Sequence, residues 1–158
     1  MPGPRRLVRV PVAGVLTMPA GEREFVDSNV FLYAFSAQAP QKGEAARLLL
    51  TRLAKSKAGC ISVQVLQEFY ANATRKLRVD PAEALRQLKR LDRWRTDVPQ
   101  VEHVIEAAEN SQLWQISFWD ALIVGSAQRQ NCHTLWTEDL NEGQQFGSVT
   151  VRNPFRSK

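Results

Sequence analysis

From Glu24 onward, short apolar runs alternate with amphipathic stretches, the pattern of an α/β domain built on a mostly parallel sheet. Phe25-Val26 lies in a short buried strand over Glu24–Asp27, and Val30–Phe35 continues it as a short helix. Ala45, Leu48, Leu49 and Leu53 recur at helical spacing within Lys42–Lys55. Gly59 opens a second strand, Cys60–Ser62. Val63–Leu77 sets Leu66, Phe69, Tyr70, Ala73 and Leu77 on one helical face. Pro81, suited to a first helical turn, introduces a helix over Ala82–Arg95. The pattern then predicts a short strand at Val98–Val101, helices over Glu102–Trp114 and Phe118–Gln130, a strand at His133–Trp136 and a last one at Val149–Val151. There are no internal repeats.

A chain of 158 residues suits one domain, and folding at that size buries about 68–70% of the surface exposed by the unfolded chain. Cys60 and Cys132 sit in apolar segments and, with His103 and His133, match no zinc spacing, so they read as small buried hydrophobes in a reducing compartment. Residues 1–22 hold four of the eight prolines and show no period, which reads as a flexible extension before a folded domain over 23–158. Arg9 and Pro11 interrupt any signal-peptide core there, and Met18 offers an alternative start. No stretch approaches the roughly eighteen apolar residues of a membrane span. The net charge of +5 favours a polyanionic partner, but Arg5, Arg6 and Arg9 supply three of those charges.

The acidic residues add chemistry to this picture. Open parallel sheets bind ligands outside the carboxyl ends of their strands, where helix N-termini converge. Asp27 closes the first strand, where it could simply cap the next helix. Glu68 shares a polar helix face with Gln64, Asn72 and Arg75, as a solvated residue would. Asp120 follows Ser117 in a Ser-x-x-Asp pattern that fits a capping box. Asp139 follows the His133–Trp136 strand, where an Asx-turn is the ordinary role. All four nevertheless fall at converging strand ends or on a helix face beside them. Clustered carboxylates raise one another's pKa unless a cation neutralises them, and all-oxygen ligation selects Mg²⁺ or Mn²⁺ over zinc.

Four segments carry a family resemblance: Phe25-Val26-Asp27-Ser28-Asn29-Val30, Ser62-x-x-Val65-x-x-Glu68-Phe69, Ser117-Phe118-Trp119-Asp120-Ala121-Leu122-Ile123 and Thr137-Glu138-Asp139-Leu140. In this order and spacing, the chain from about Phe25 to Val151 resembles the PIN-domain family, in particular the VapC-type toxins. That resemblance implies a three-layer α/β/α fold, Mg²⁺-dependent hydrolysis of RNA by a metal-activated water, and an antitoxin protein whose tail occupies the active-site groove. It places Asp27, Glu68 and Asp120 at the family's best-defined acidic positions and Asp139 at its more variable fourth. Glu138 and Glu142 are possible substitutes for Asp139. Asn29, Thr137 and Arg75 are candidate substrate-binding residues, with Thr137 also able to support a ligand through its hydroxyl. A homodimer and a cytoplasmic location accompany this reading.

Basic residues follow the second acidic segment. Arg86, Lys89, Arg90 and Arg93 fall on one face of the expected Ala82–Arg95 helix, as phosphate contacts or as a solvated face. Trp94, Trp114, Trp119 and Trp136 could stack bases, although packing in the core is the commoner use. Two other classes compete. A phosphotransfer receiver or phosphohydrolase expects a second Asp two residues after the first, where Asn29 stands, or a paired acid and a late catalytic Lys. A catalytically silent PIN-like module would bind RNA or protein without cutting.

Overall fold

The computed structural model describes residues 22–156. The extension expected over residues 1–22 lies, but for Glu22, outside them. Strands β1 (Arg23–Val26), β2 (Gly59–Ser62), β3 (Arg95–Asp97), β4 (Cys132–Trp136), β5 (Gln145–Phe146) and β6 (Val149–Arg152) form one sheet in the order β3-β2-β1-β4-β6-β5. Every pairing is parallel except β5 with β6. Between strands run α1 (Ser28–Phe35), α2 (Pro40–Ser56), α3 (Val63–Arg75), α4 (Pro81–Leu91), α5 (Val101–Trp114) and α6 (Phe118–Arg129).

This order follows from burial. The central strand β1 must be apolar on both faces, and Phe25 and Val26 are fully buried. The chain steps outward through β1, β2 and β3, then returns past β1 to β4. Right-handed crossovers therefore put α1–α4 on one face of the sheet and α5–α6 on the other, where α6 packs on β2, β4 and β6. The outward and return steps part between β1 and β4, which makes that junction the topological switch point of the sheet, the place where such folds bind ligands. The core runs through Phe25, Ile61, Val65, Phe69, Val124 and Leu135, all buried.

Three elements depart from the sequence reading. The helix after Pro81 ends at Leu91 instead of Arg95, because the chain turns back to lay Trp94 edge-on against Phe31, with ring centroids 5.4 Å apart. The strand expected at Val98–Val101 is instead Arg95–Asp97. Pro99 has no N–H to give to a ladder, and Val101 already opens α5. The third departure is β5: Gly147-Ser148 forms a two-residue loop with φ +60° at Gly147, the glycine-first signature of a type II′ hairpin. Cys60 and Cys132 are buried free thiols, as expected.

Gly59 has a packing reason. A Cβ at that position would overlap the Trp94 ring. Gly59→Ala is therefore expected to lower stability by about 1–3 kcal/mol, the usual cost of overpacking a filled core. Urea melts of both proteins check this, and an unchanged midpoint would show that Trp94 moves aside freely.

Candidate metal centre

Two strand ends at the switch point build the centre. Asp27 directly follows β1, and its backbone N–H extends the sheet by donating to Trp136 O at 3.0 Å. Its side chain does cap α1, with Oδ1 accepting from Ser28 N at 2.7 Å. The other oxygen, Oδ2, accepts from Thr137 Oγ1 at 2.8 Å, so the residue just after β4 holds the residue just after β1. Thr137 also makes the turn expected of Asp139: its Oγ1 accepts from Asp139 N at 3.1 Å. That frees the Asp139 carboxylate, whose Oδ2 accepts from Asn29 Nδ2 at 3.0 Å. Asn29 Nδ2 lies within 3.2 Å of Thr137 Oγ1 as well.

Asp120 enters from the opposite helical layer. Ser117 caps α6 by accepting from Asp120 N at 3.0 Å, which leaves the carboxylate itself to face the strand ends. One oxygen from each of Asp27, Asp120 and Asp139 lies within 4.8 Å of the other two. Glu68 does not join that triangle. It stands beside it on α3, where its Oε2 accepts from Ser28 Oγ at 2.6 Å and its Oε1 from Gln64 Nε2 at 2.8 Å. Gln64 Nε2 also reaches Trp119 O at 3.3 Å and so ties α3 to the start of α6.

The electrostatics are unfavourable without a cation. Burial first, and then the charges of Glu68 and Asp139, push the Asp27 carboxyl up to about 7 from its ordinary 3.8, against the opposing bonds from Thr137 and Ser28. Burial, then Asp139 and Glu68, raises Asp120 too. Five other carboxylates, Glu24, Glu83, Asp97, Glu138 and Glu142, each have a Lys or Arg partner. Among the described residues no ion pair involves Asp27, Glu68, Asp120 or Asp139. A carboxylate cluster with an all-oxygen donor set, partly buried and lacking a basic partner, fits a hard divalent cation.

Comparison with known proteins identifies the family and the fold. The family model of the PIN domain matches residues 25–142. The chain belongs to the PIN domain family. No curated protein sequence matches the chain significantly. Among solved structures, this PIN domain is similar to a toxin–antitoxin complex from Klebsiella pneumoniae, at 17% identity and a TM-score of 0.64, over 85% of this chain and 99% of that one. It is also similar to the DNA-bound VapBC of Salmonella typhimurium, at 16% identity and a TM-score of 0.59, over 84% of this chain and 98% of that one. A third is VapC20 of Mycobacterium tuberculosis, a Sarcin-Ricin loop cleaving toxin, at 20% identity and a TM-score of 0.53, over 70% of this chain and 85% of that one.

Several sequence candidates stand elsewhere in this PIN domain. Glu138 turns to Tyr33 Oη at 2.7 Å and Lys42 Nζ at 2.8 Å. Glu142 accepts from Asn153 N at 2.5 Å and pairs with Arg152. Neither is a substitute for Asp139. Arg75 is exposed in the last turn of α3 and makes no ion pair among the described residues. The expected basic face of α4 shrinks, since Arg93 lies beyond the end of the helix and Arg86 is paired with Glu83. Trp94, Trp114 and Trp136 pack against the core, while Trp119 is exposed. Sequence reasoning missed Ser28 as a link: its hydroxyl touches Glu68 and lies 3.4 Å from Asp27 Oδ1. The signal was a small hydroxyl residue directly after a strand-end Asp.

Proposed function

We propose that this PIN domain is a metal-dependent endoribonuclease, the toxin of a type II toxin–antitoxin pair, with Asp27, Asp120 and Asp139 holding Mg²⁺ or Mn²⁺ and Glu68 completing the acidic site. The observation that carries the reading is the triangle of three carboxylate oxygens within 4.8 Å of one another. Such an arrangement is costly to the fold unless a cation or a proton neutralises it. When bound, the cation would offset the negative charge that develops on the scissile phosphate and lower the pKa of the attacking water. Water adds to phosphorus as the bond to the 3′ oxygen breaks, which leaves a 5′-phosphate and a 3′-hydroxyl. The chain's own part is to hold the ligands in place. Thr137 and Ser28 fix both oxygens of Asp27, Asn29 fixes Asp139, and Ser28 with Gln64 fixes Glu68. Support for RNA as the substrate comes from the similarity to VapC20, a Sarcin-Ricin loop cleaving toxin.

The fold also offers surfaces for the proposed partners. A groove of about 460 Å³ between α1, α2 and α4 is floored by Phe31, Leu50, Leu91 and Trp94 and carries Arg47 and Arg90. None of the acidic-site residues lines it, so it suits an amphipathic, acidic segment of an antitoxin other than the tail expected in the active-site groove. Along α5, Val101, Val104 and Ile105 are exposed on one helical face, an apolar patch that a homodimer would cover. No helix among the described residues is long and apolar enough to cross a membrane.

Incubating the purified chain with RNA in EDTA, Mg²⁺ or Mn²⁺ tests the activity. Cleavage confined to the metal-containing reactions is the expected result. A folded protein that binds RNA but never cuts it would be a silent module instead. Val101→Glu combined with Ile105→Glu is expected to shift the chain from dimer to monomer in sedimentation, and a wild-type monomer would remove the dimer reading.

A further inference from the structure

A second cavity opens on the acidic centre and is lined differently. It encloses about 410 Å³, within the roughly 300–1,000 Å³ range of small-molecule sites. Asp120 and Asp139 form its inner edge. One wall is the α5–α6 turn, with Trp114, Gln115 and Ser117; the other is the loop after β4, with Asn141 and Gln144. No Lys or Arg lines it. Apart from the two aspartates, its polar side chains are neutral: three amides and one hydroxyl.

Two of the three amides, Gln115 and Gln144, are held. Gln115 sits at φ +56°, in the left-handed region, and ends α5; its Nε2 donates to Gln112 O at 2.7 Å, which leaves Oε1 as an acceptor. Gln144 is fixed by its backbone, with N donating to Asn141 O at 3.0 Å and O accepting from Val151 N at 2.8 Å. Its Oε1 accepts from Asn141 N at 3.4 Å, and its Nε2 donates to no other group among the described residues. The Asn141 side chain is likewise without a partner among them. The cavity therefore presents a fixed acceptor on one wall and unspent amide donors on the other.

Uncharged paired donors and acceptors suit the edge of a nucleobase, whereas a phosphate would need positive charge. We propose that this cavity is a nucleobase subsite, which seats the base of a nucleotide adjoining the scissile phosphate and reads its edge with the amides of Asn141, Gln144 and Gln115. The proposal rests on the ribonuclease reading for its biological meaning, but the cavity can be tested without cleavage.

The first experiment titrates the metal-free full chain with adenosine, guanosine, cytidine and uridine, following side-chain amide resonances by NMR. One nucleoside is expected to shift the amide signals of Asn141 and Gln144 more than the other three, and Gln144→Met should remove the response. If none of the four shifts them, or if Gln144→Met responds like wild type, the subsite does not exist, whatever the chain does to RNA. The second experiment sequences the products of a randomised RNA pool cut in Mn²⁺. Wild type should discriminate at one position beside the cut, and Asn141→Ala and Gln144→Met should each reduce that discrimination about tenfold. Preferences at other positions should persist. An unchanged preference in both variants, with melting temperatures equal to wild type, would overturn the proposal.

Discussion

Asp120→Asn is expected to lower metal-dependent RNA cleavage by more than about a hundredfold, because removing even an outer-shell partner of a metal ligand typically costs about 10–100-fold. The fold should survive. The Ser117 cap of α6 uses the backbone N–H of Asp120, not its carboxylate, and the amide occupies the same volume. Asp27→Asn should lose as much activity, since Asn can still cap α1 while its charge is gone. Thr137→Val gives the graded control. It removes the 2.8 Å bond to Asp27 Oδ2 but leaves every carboxylate, and should fall within the 10–100-fold range, about the cost of an outer-shell partner. Initial rates on one RNA at saturating Mn²⁺ check all three. Near-wild-type cleavage by a folded Asp120→Asn protein would overturn the site assignment.

The second large effect is on stability, and its sign depends on pH and metal. Asp27 titrates near 7 in the folded chain against 3.8 ordinarily, so the native state binds this proton more tightly than the unfolded state does. The associated stabilisation is complete below pH 3.8 and is lost as pH rises through 7. Asp120 is shifted the same way. Glu24 and Glu142 are shifted below their ordinary 4.5 and contribute in the opposite sense, at lower pH. In EDTA, wild type should therefore melt at a lower temperature at pH 8 than at pH 5, by roughly 5–15 °C for a chain of this size.

Asp27→Asn should flatten that slope and be more stable than wild type at pH 8. Millimolar Mn²⁺ should reverse the ranking, because binding to the native state adds about 2.7 kcal/mol at a hundredfold excess over Kd. Thermal melts at two pH values, with and without metal, read both effects. Equal destabilisation by Asp27→Asn under all four conditions would assign Asp27 to helix capping alone.

Much of this was legible in the sequence because local rules carried it. The second half of β1, Phe25-Val26, is apolar on both faces, α3 repeats its apolar residues at helical spacing, and Pro81 marks the start of α4. The four acidic segments stood in an order that resembles the PIN family, and Asp27, Asp120 and Asp139 do converge. The hairpin at Gly147-Ser148 was missed, although its signal, a two-residue glycine-first loop between short apolar segments, is local.

Other features depend on contacts between residues far apart in the chain, for which no local pattern exists. Helix α4 stops at Leu91 because Trp94 must reach Phe31 and Gly59, residues brought near only when β1 and β2 pair. The same capping propensity at Asp27 and Ser117 fits a plain helix start or a metal site. What separates the two is the strand order, which sets Asp27 and Thr137 at adjacent strand ends, and the packing of α6, which brings Asp120 to meet them. Glu138 and Asp139 are chemically interchangeable in the sequence. The fold distinguishes them by giving Lys42 and Tyr33 to the first, and leaving the second, held by Asn29, without a basic partner among the described residues. The sequence by itself determined most of the elements and the supply of carboxylates, because propensity and periodicity act over a few residues. Which carboxylates share one cavity without a counter-charge was decided by tertiary structure, because electrostatic repulsion and desolvation depend on distances that only the packed sheet and helices establish.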